Sequence, residues 1–399
     1  MSSELKKVYV VAAVRTPVGK APRGVFKDVR PDDLLIHVLK SCLAKAPTLD
    51  PAAINDVIVG CAFPEAEQGM NMARIALLLA GLPNSVGGMT VNRFCASGLS
   101  AISIAANQIA TGQGDVMIAA GAESMSMVPM MGNKPALNPL IFTNNQHGGI
   151  AYGMGLTAEK VANQWQVSRQ AQDEFALHSH LKAVKAQQSN AFADEIVPFN
   201  CEQSYPNLKT QQIDQHTLMV TQDEGPRADT SLEALSKLPT VFAAQGSVTA
   251  GNSSQMSDGA AALLLASEQA VRQFNLQPIA LWHGCAVRGV APHFMGIGPV
   301  EAIPAVCQQT GIALHNLDWI ELNEAFAAQA IAVIDCLKLN PEIINPLGGA
   351  IALGHPLGAT GAIRATTVLH GLCRKQLKYG MVSMCVGTGM GAAGLFERL

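Results

Sequence analysis

Short apolar runs alternate along this chain with longer stretches in which apolar side chains return every three or four positions. The runs Lys7 to Ala13, Asp56 to Gly60, Val116 to Ala119, Ala262 to Ala266 and Tyr379 to Cys385 predict strands, while Pro31 to Ala44 and Asn71 to Leu79 carry the helical period. Such alternation predicts βα units and mixed sheets covered by helices, an α/β class. Between about Met125 and Ser254 the texture changes to a long polar helix over Ser168 to Ser189, a loop rich in Asn and Gln over Asn200 to Gln215, and few buried-strand signals. An inserted, surface-lying lobe is the expectation. On either side of it the same series of events occurs: a strand running into a Cys or His, then glycines, then a helix of small residues. Two similar halves are expected, although residue identities are too different to establish a repeat.

Composition narrows the picture. At about 150 residues per domain, a chain of 399 holds more than one. Charged residues make up 14% and hydrophobic ones 49%. Set against a usual charged share of about 25%, this predicts large cores or subunit contacts and excludes disorder. With 27 Lys+Arg against 30 Asp+Glu the net charge is -3, which offers no basic field to a nucleic acid. No apolar window approaches the about 18 residues needed to cross a bilayer, so no membrane span is expected. The start, Met1 to Pro17, has no secretory apolar region and runs straight into a strand. The 9 cysteines are scattered without a CxxC pair, which fits neither a disulfide scaffold nor a zinc module. Reduced thiols in a cytoplasmic protein, with no metal site, are the expectation.

Four segments carry candidate chemistry. Met89 to Ile102 predicts a strand, a tight turn at Cys95 and a helix with Leu99, Ile102, Ala105, Ala106 and Ile109 on one stripe. At the helix N-terminus, the dipole and unpaired N–H groups favour a Cys95 thiolate and suit an oxyanion; the bland alternative is a packed core thiol. In Gly348 to Arg364, His355 is gripped between Gly354 and Pro356, as suits a base held by a rigid turn. The alternative there is a phosphate loop with an incidental His, though no Gly-Lys-Ser/Thr is present. Gly389 to Gly394 reads GxGxxG, but too little chain follows for a dinucleotide site; a strand ending at Cys385, a glycine turn and a closing strand Ala393 to Arg398 is the better reading. Cys385 is then either a strand-end catalytic group or a packed thiol. Asn323 and Glu324 open a long apolar helix, where Asn323 is a reasonable N-cap and a second role stays open.

Taken together, Cys95-Ala-Ser-Gly, Asn323-Glu-Ala-Phe, Gly354-His-Pro and Cys385-Val-Gly-Thr-Gly resemble the signature of the thiolase family. Matches of family character also run through Val10 to Gly19, Gly121 to Met125, Met154 to Glu159 and Thr249 to Ala261. Val220 to Arg227, Met295 to Pro299 and Tyr152-Gly153-Met154 resemble the degradative branch, the 3-ketoacyl-CoA thiolases, more than the biosynthetic one. The resemblance implies the thiolase fold: two duplicated βαβαβαββ-type halves in five α-β-α-β-α layers with an inserted loop domain. The implied boundaries are 1–124 plus 255–277 for the N-terminal half, 125–254 for the loop domain and 278–399 for the C-terminal half. A homodimer or homotetramer is implied, and a partner enzyme of β-oxidation is left open.

Carried over residue by residue, the resemblance makes Cys95 the nucleophile, His355 its activating base and Cys385 the general acid and base. Asn323 would hold a water that forms one oxyanion hole with His355, and the backbone N–H groups of Cys95 and Gly387 the other. Arg227, Ser254, Met154 and Phe242 match positions that contact CoA, and Phe326 one that lines the acyl pocket. The implied reaction is CoA-dependent retro-Claisen cleavage of a 3-ketoacyl-CoA to acetyl-CoA and a shortened acyl-CoA, with ping-pong kinetics and CoA as co-substrate but no resident cofactor. Four rivals remain: an acetoacetyl-CoA-specific acetyltransferase, a ketoacyl synthase, a non-catalytic acyl-CoA binder and a thiol redox sensor. A synthase resembles a Cys-His-His or Cys-His-Asn pattern, whereas this chain offers Cys385. A dead binder requires a missing catalytic group, and all four are present.

Overall fold

A computed structural model describes residues 5–143 and 148–399. The chain begins with β1 (Val8–Arg15), β2 (Gly19–Lys20), α1 (Pro31–Ala44), β3 (Asp56–Gly60), α2 (Met72–Leu79), β4 (Gly87–Val91), α3 (Ser97–Ala110) and β5 (Val116–Ser124). It continues through α4 (Met154–Gln164), α5 (Arg169–Gln188), β6 (Phe199–Asn207), β7 (Gln212–Val220) and α6 (Leu232–Ser236), then β8 (Ser257–Ser267) and α7 (Glu268–Gln273). The remainder is β9 (Ala280–Gly289), α8 (Gly298–Thr310), β10 (Trp319–Leu322), α9 (Ala327–Leu337), α10 (Ala350–Leu353), α11 (Leu357–Lys375), β11 (Tyr379–Val386) and β12 (Met390–Arg398).

Strand pairing reveals the duplication that residue identities hide. The main sheet runs β10-β11-β12-β9-β1-β8-β5-β3-β4. In the first half β3 lies parallel to β4 and β5, β5 antiparallel to β8, and β8 antiparallel to β1. In the second, β10 lies parallel to β11, β11 antiparallel to β12, and β12 antiparallel to β9. A parallel bridge between Ile320 and Ile344 stands where the β3–β4 pairing has its counterpart. The halves meet where Val8, Tyr9 and Val10 pair antiparallel with Trp282, Leu281 and Ala280.

Burial explains the layering. Every residue of β8 is buried, and its side chains alternate between two cores. Ala260, Ala262 and Leu264 join Leu34, Leu35 and Leu39 of α1, whereas Ala261, Leu263 and Leu265 join Leu99 and Ile102 of α3 and Ala362 and Ile363 of α11. A strand covered on both faces reads as a continuous apolar run, which is why the sequence announces it so clearly. On the far face of the second half, Ile303 and Val306 of α8 and Val333 of α9 cover Ile320, Met381 and Leu395. With α3 and α11 packed between the two halves of the main sheet, the order is α-β-α-β-α.

The two central helices touch almost backbone to backbone. A Cβ at Gly98 would lie 2.7 Å from the Ala362 nitrogen, and one at Gly361 would collide with the Leu99 nitrogen. Only glycine permits that approach. It matters because α3 begins just after Cys95 and α11 just after His355.

One local expectation is corrected. Asn200 to Gln215, read as a loop, falls in the hairpin of β6 and β7, whose nine pairs form a separate two-stranded sheet. Most of β7 is exposed, while Cys201 and Val220 reach the first core. A hairpin buried at so few positions lacks the apolar run that marks a core strand. Among the described residues, no helix is long and apolar enough to cross a membrane.

Candidate active site

Cys95 stands in a tight turn, Phe94–Ala96, between β4 and α3. Phe94 adopts φ +44°, a strained value for a bulky residue, and three hydrogen bonds hold it there. Arg93 N donates to Ser97 Oγ (2.9 Å), Ser97 Oγ donates to Phe94 O (2.7 Å), and Phe94 N donates to Asn92 Oδ1 (2.7 Å). The helical stripe of Leu99, Ile102, Ala105, Ala106 and Ile109 is buried as its period predicts.

His355 sits between α10 and α11, after Gly354 at φ +90°. Its backbone N donates to Ser257 Oγ (3.1 Å) and Gln255 O (3.2 Å). Its Nδ1 lies 2.6 Å from Thr360 Oγ1, and its Nε2 lies 3.3 Å from Asn323 Nδ2. Asn323 is no helix cap. The helix starts at Ala327 with Phe326 at its N-cap, so the Asn323 amide is left to face the imidazole. Its backbone N donates to Ser383 O (2.8 Å), which fixes it beside β11.

Cys385, the penultimate residue of β11, is fully buried in a cluster with Met154, Ala158, Met295 and Phe326. Burial pushes its thiol far above the ordinary value, and the negative charge that Cys95 carries once ionised pushes it further, so the two sulfurs share one local environment. Gly387 donates its backbone N–H toward the Cys95 sulfur. Cys95, Cys385 and Gly387, remote in sequence, thus lie in one neighbourhood.

Electrostatics modify the expectation of a resting thiolate. Burial raises the Cys95 thiol to about 11, and the N–H groups of Gly387 and of Cys95 itself only partly offset it. Burial first, and then the Arg364 charge, lowers His355 to about 3. Desolvation of a small buried anion here exceeds the help of a helix terminus. Near neutral pH, burial thus favours an uncharged Cys95 thiol and an uncharged His355 imidazole in the lining of one cavity. Alkylation of Cys95 by iodoacetamide should therefore keep accelerating as pH rises through 9 toward about 11. A plateau below about pH 8 would contradict this protonation state.

Two cavities open at Cys95. The larger, about 810 Å³, includes His355, Met154, Phe242, Ser254 and Phe326 in its lining. The smaller, about 240 Å³, is apolar and is bounded by Phe63, Phe94, Met130, Leu137, Tyr152 and Gly387. Phe326 lines only the larger of the two. Arg227 faces a third, about 360 Å³, with His180 and Lys20; Lys20, Ala250 and Gln255 border both this space and the large cavity. Arg227 therefore lines neither cavity at Cys95 but a neighbouring one that shares three lining residues with the larger.

Two residues that sequence reasoning missed stand behind this geometry. The buried Glu123 carboxylate accepts from Ala62 N (2.7 Å), Gly358 N (2.8 Å) and Phe63 N (3.3 Å), tying the loop after β3 to the first turn of α11. Phe63 in turn packs against Phe94, the neighbour of Cys95. Thr360 holds the far side of the imidazole. Glu123 lies inside Gly121 to Met125, but nothing in that local pattern reveals which distant amides it binds. Among the described residues, no group of three or more His, Cys, Asp or Glu is arranged to hold a metal.

Comparison with known proteins identifies the family of the chain. Residues 8–269 match the model for "Thiolase, N-terminal domain" and residues 276–398 that for "Thiolase, C-terminal domain". A 3-ketoacyl-CoA thiolase of Bacillus subtilis (strain 168) is 46% identical over 98% of this chain and 100% of its own. The peroxisomal 3-ketoacyl-CoA thiolase of Homo sapiens is 44% identical over 98% of this chain and 90% of its own. Among solved structures, the Bacillus anthracis acetyl-CoA acetyltransferase superposes with a TM-score of 0.89 at 37% identity, with 100% of both chains covered. Through both halves and nearly every residue between them, the chain belongs to the thiolase family.

Proposed function

We propose that this protein cleaves 3-ketoacyl-CoA with CoA, releasing acetyl-CoA and an acyl-CoA two carbons shorter, in fatty-acid β-oxidation. The observation that supports it most is the shared environment of two buried cysteines remote in sequence, with His355 in the same cavity lining as Cys95. Breaking a carbon–carbon bond needs a strong nucleophile at the 3-keto carbon and a proton for the carbanion that leaves. One thiol serves each need.

In the proposed sequence Cys95 gives its proton to His355 Nε2 and its sulfur bonds to the 3-keto carbon. Buried N–H donors, those of Cys95 and Gly387, stabilise the tetrahedral oxyanion. The C2–C3 bond then breaks, Cys385 protonates C2, and acetyl-CoA departs. The Cys385 thiolate takes the proton of an incoming CoA thiol, whose sulfur attacks the acyl-Cys95 thioester. Cys95 leaves as a thiolate and recovers its proton from the His355 imidazolium, restoring both cysteines. Asn323, beside Nε2, would hold a water that shares with His355 the second oxyanion site. Every proton and electron pair is accounted for by these side chains and CoA.

The domain reading gives the cavities their roles. With boundaries at 1–124 plus 255–277, 125–254 and 278–399, the inserted segment brings Met154, Arg227, Phe242 and Ser254 to the path on which we place CoA. The nucleotide end lies toward Arg227 and Lys20, and the thiol end toward Cys95. Phe326 borders the large cavity where thiol and acyl carbons meet, and the small apolar cavity takes the rest of the acyl chain. We propose a homodimer or homotetramer in the cytoplasm, and the unpaired state of all 9 cysteines suits such a reducing compartment. The decisive assay measures CoA-dependent cleavage of 3-ketoacyl-CoAs from about four to about sixteen carbons. Cleavage of the longer substrates is expected; strict preference for acetoacetyl-CoA would move the protein to the acetyltransferase reading, which the Bacillus anthracis structure represents.

A further inference from the structure

Both imidazole nitrogens of His355 are engaged, on opposite sides and by different elements. Asn323, beyond the end of β10, presents its amide nitrogen to Nε2 at 3.3 Å, and Thr360, in the first turn of α11, holds Nδ1 at 2.6 Å. Thr360 is 1% exposed, and its backbone N donates to Pro356 O (3.2 Å), so its hydroxyl is delivered by a rigid turn. Placed with its nitrogen toward the ring, the Asn323 amide donates and Nε2 accepts. The one ring proton of a neutral imidazole then sits on Nδ1 and is donated to Thr360 Oγ1.

We propose that Thr360 is a positioning residue that accepts the Nδ1–H of His355 and holds the ring, so that Nε2, left without a proton, is the nitrogen that takes the Cys95 proton. The inference rests on the reading of His355 as the base, and it adds an orienting third member to the cysteine and histidine. A nucleophile, a base and a group that fixes the base's tautomer recur where a weak acid must be deprotonated by a neutral imidazole. That third place is held here by a neutral hydroxyl. It fixes orientation without adding a negative charge that would favour the imidazolium at rest, in keeping with the low affinity of His355 for protons. Without it the ring can turn or shift its proton to Nε2, where it opposes transfer from sulfur.

Thr360→Val keeps the shape and removes the hydroxyl, and Thr360→Ser restores it. For Thr360→Val, kcat for thiolysis should fall at least roughly 10-fold with KM for CoA little changed, and Thr360→Ser should recover most of the loss. Nitrogen-15 NMR of histidine-labelled protein, assigned against a His355→Asn variant, should show a protonated Nδ1 and bare Nε2 in the wild type. Thr360→Val should show a mixture. A bare Nδ1 in the wild type overturns the proposal even if the Val variant does not fold. So does a folded Thr360→Val protein with wild-type kcat, or a loss of kcat that Ser does not repair. If wild-type protein lacks thiolysis altogether, the functional reading fails, while the spectra still decide the tautomer.

Discussion

Cys95→Ser is expected to abolish nearly all CoA-dependent thiolysis, a loss of at least roughly 10²-fold in kcat. A hydroxyl is far less acidic than a thiol and its oxygen a poorer nucleophile toward a carbonyl. The surroundings sharpen the difference. Burial has already driven His355 down to about 3, so the proton of an alcohol has no adequate acceptor. The volume change is small, and the turn is held by Ser97 and Asn92 rather than by the sulfur, so the fold should survive. Loss of 3-ketoacyl-CoA, followed after CoA addition, is the measurement, with mass spectrometry for the acylated protein. A variant that cleaves substrate at the wild-type rate would remove Cys95 from the mechanism. If mass spectrometry placed the acyl group at a position other than 95, another nucleophile would have to be sought.

Arg15→Met should destabilise the protein by about 3–5 kcal/mol. Arg15 is 1% exposed at the end of β1; its Nε meets Glu195 Oε1 at 2.7 Å and its Nη1 meets Asp223 Oδ1 at 2.7 Å, with Nη2 to Asp223 Oδ2 at 2.9 Å. Both carboxylates are almost completely buried and belong to the segment between β5 and β8. Glu195 Oε1 also accepts from Thr367 Oγ1 of α11 (2.9 Å), and Asp223 Oδ1 from Val18 N (2.9 Å). One guanidinium therefore fastens the inserted segment to the first half and to the helix behind His355. Removing it strands two buried anions, which is costlier than deleting the whole cluster. Thermal unfolding and limited proteolysis within 125–254 should both report the loss. Adding Glu195→Gln and Asp223→Asn should recover part of it; an unchanged midpoint in Arg15→Met would show that the cluster does not hold the segment.

Neither the Arg15 cluster nor the His355–Thr360 contact was legible along the chain, and the reason is the same for both. A buried polar side chain is defined by its partners, and those partners are brought by other elements. Asn323 shows this most directly. Local pattern makes it a helix cap, yet the helix begins later and the amide turns to an imidazole 32 residues away in sequence. The hairpin of β6 and β7 escaped for a different reason, since a strand pair with little to bury carries little hydrophobic signal. Where burial is complete, as in β8 or along the α3 stripe, pattern and structure coincide.

The linear chain by itself determined the α/β class, the positions of the buried strands and helices, and the family to which Cys95, Asn323, His355 and Cys385 belong. Those features rest on local periodicity, or on short motifs whose residue types the chemistry requires. Tertiary structure alone decided that Cys385 lies within range of the Cys95 charge, that Glu123 and Thr360 hold the loops and the imidazole around them, and that burial favours the Cys95 thiol over its thiolate. Each of these depends on distance and desolvation, which arise only when segments remote in sequence exclude water from the same small volume.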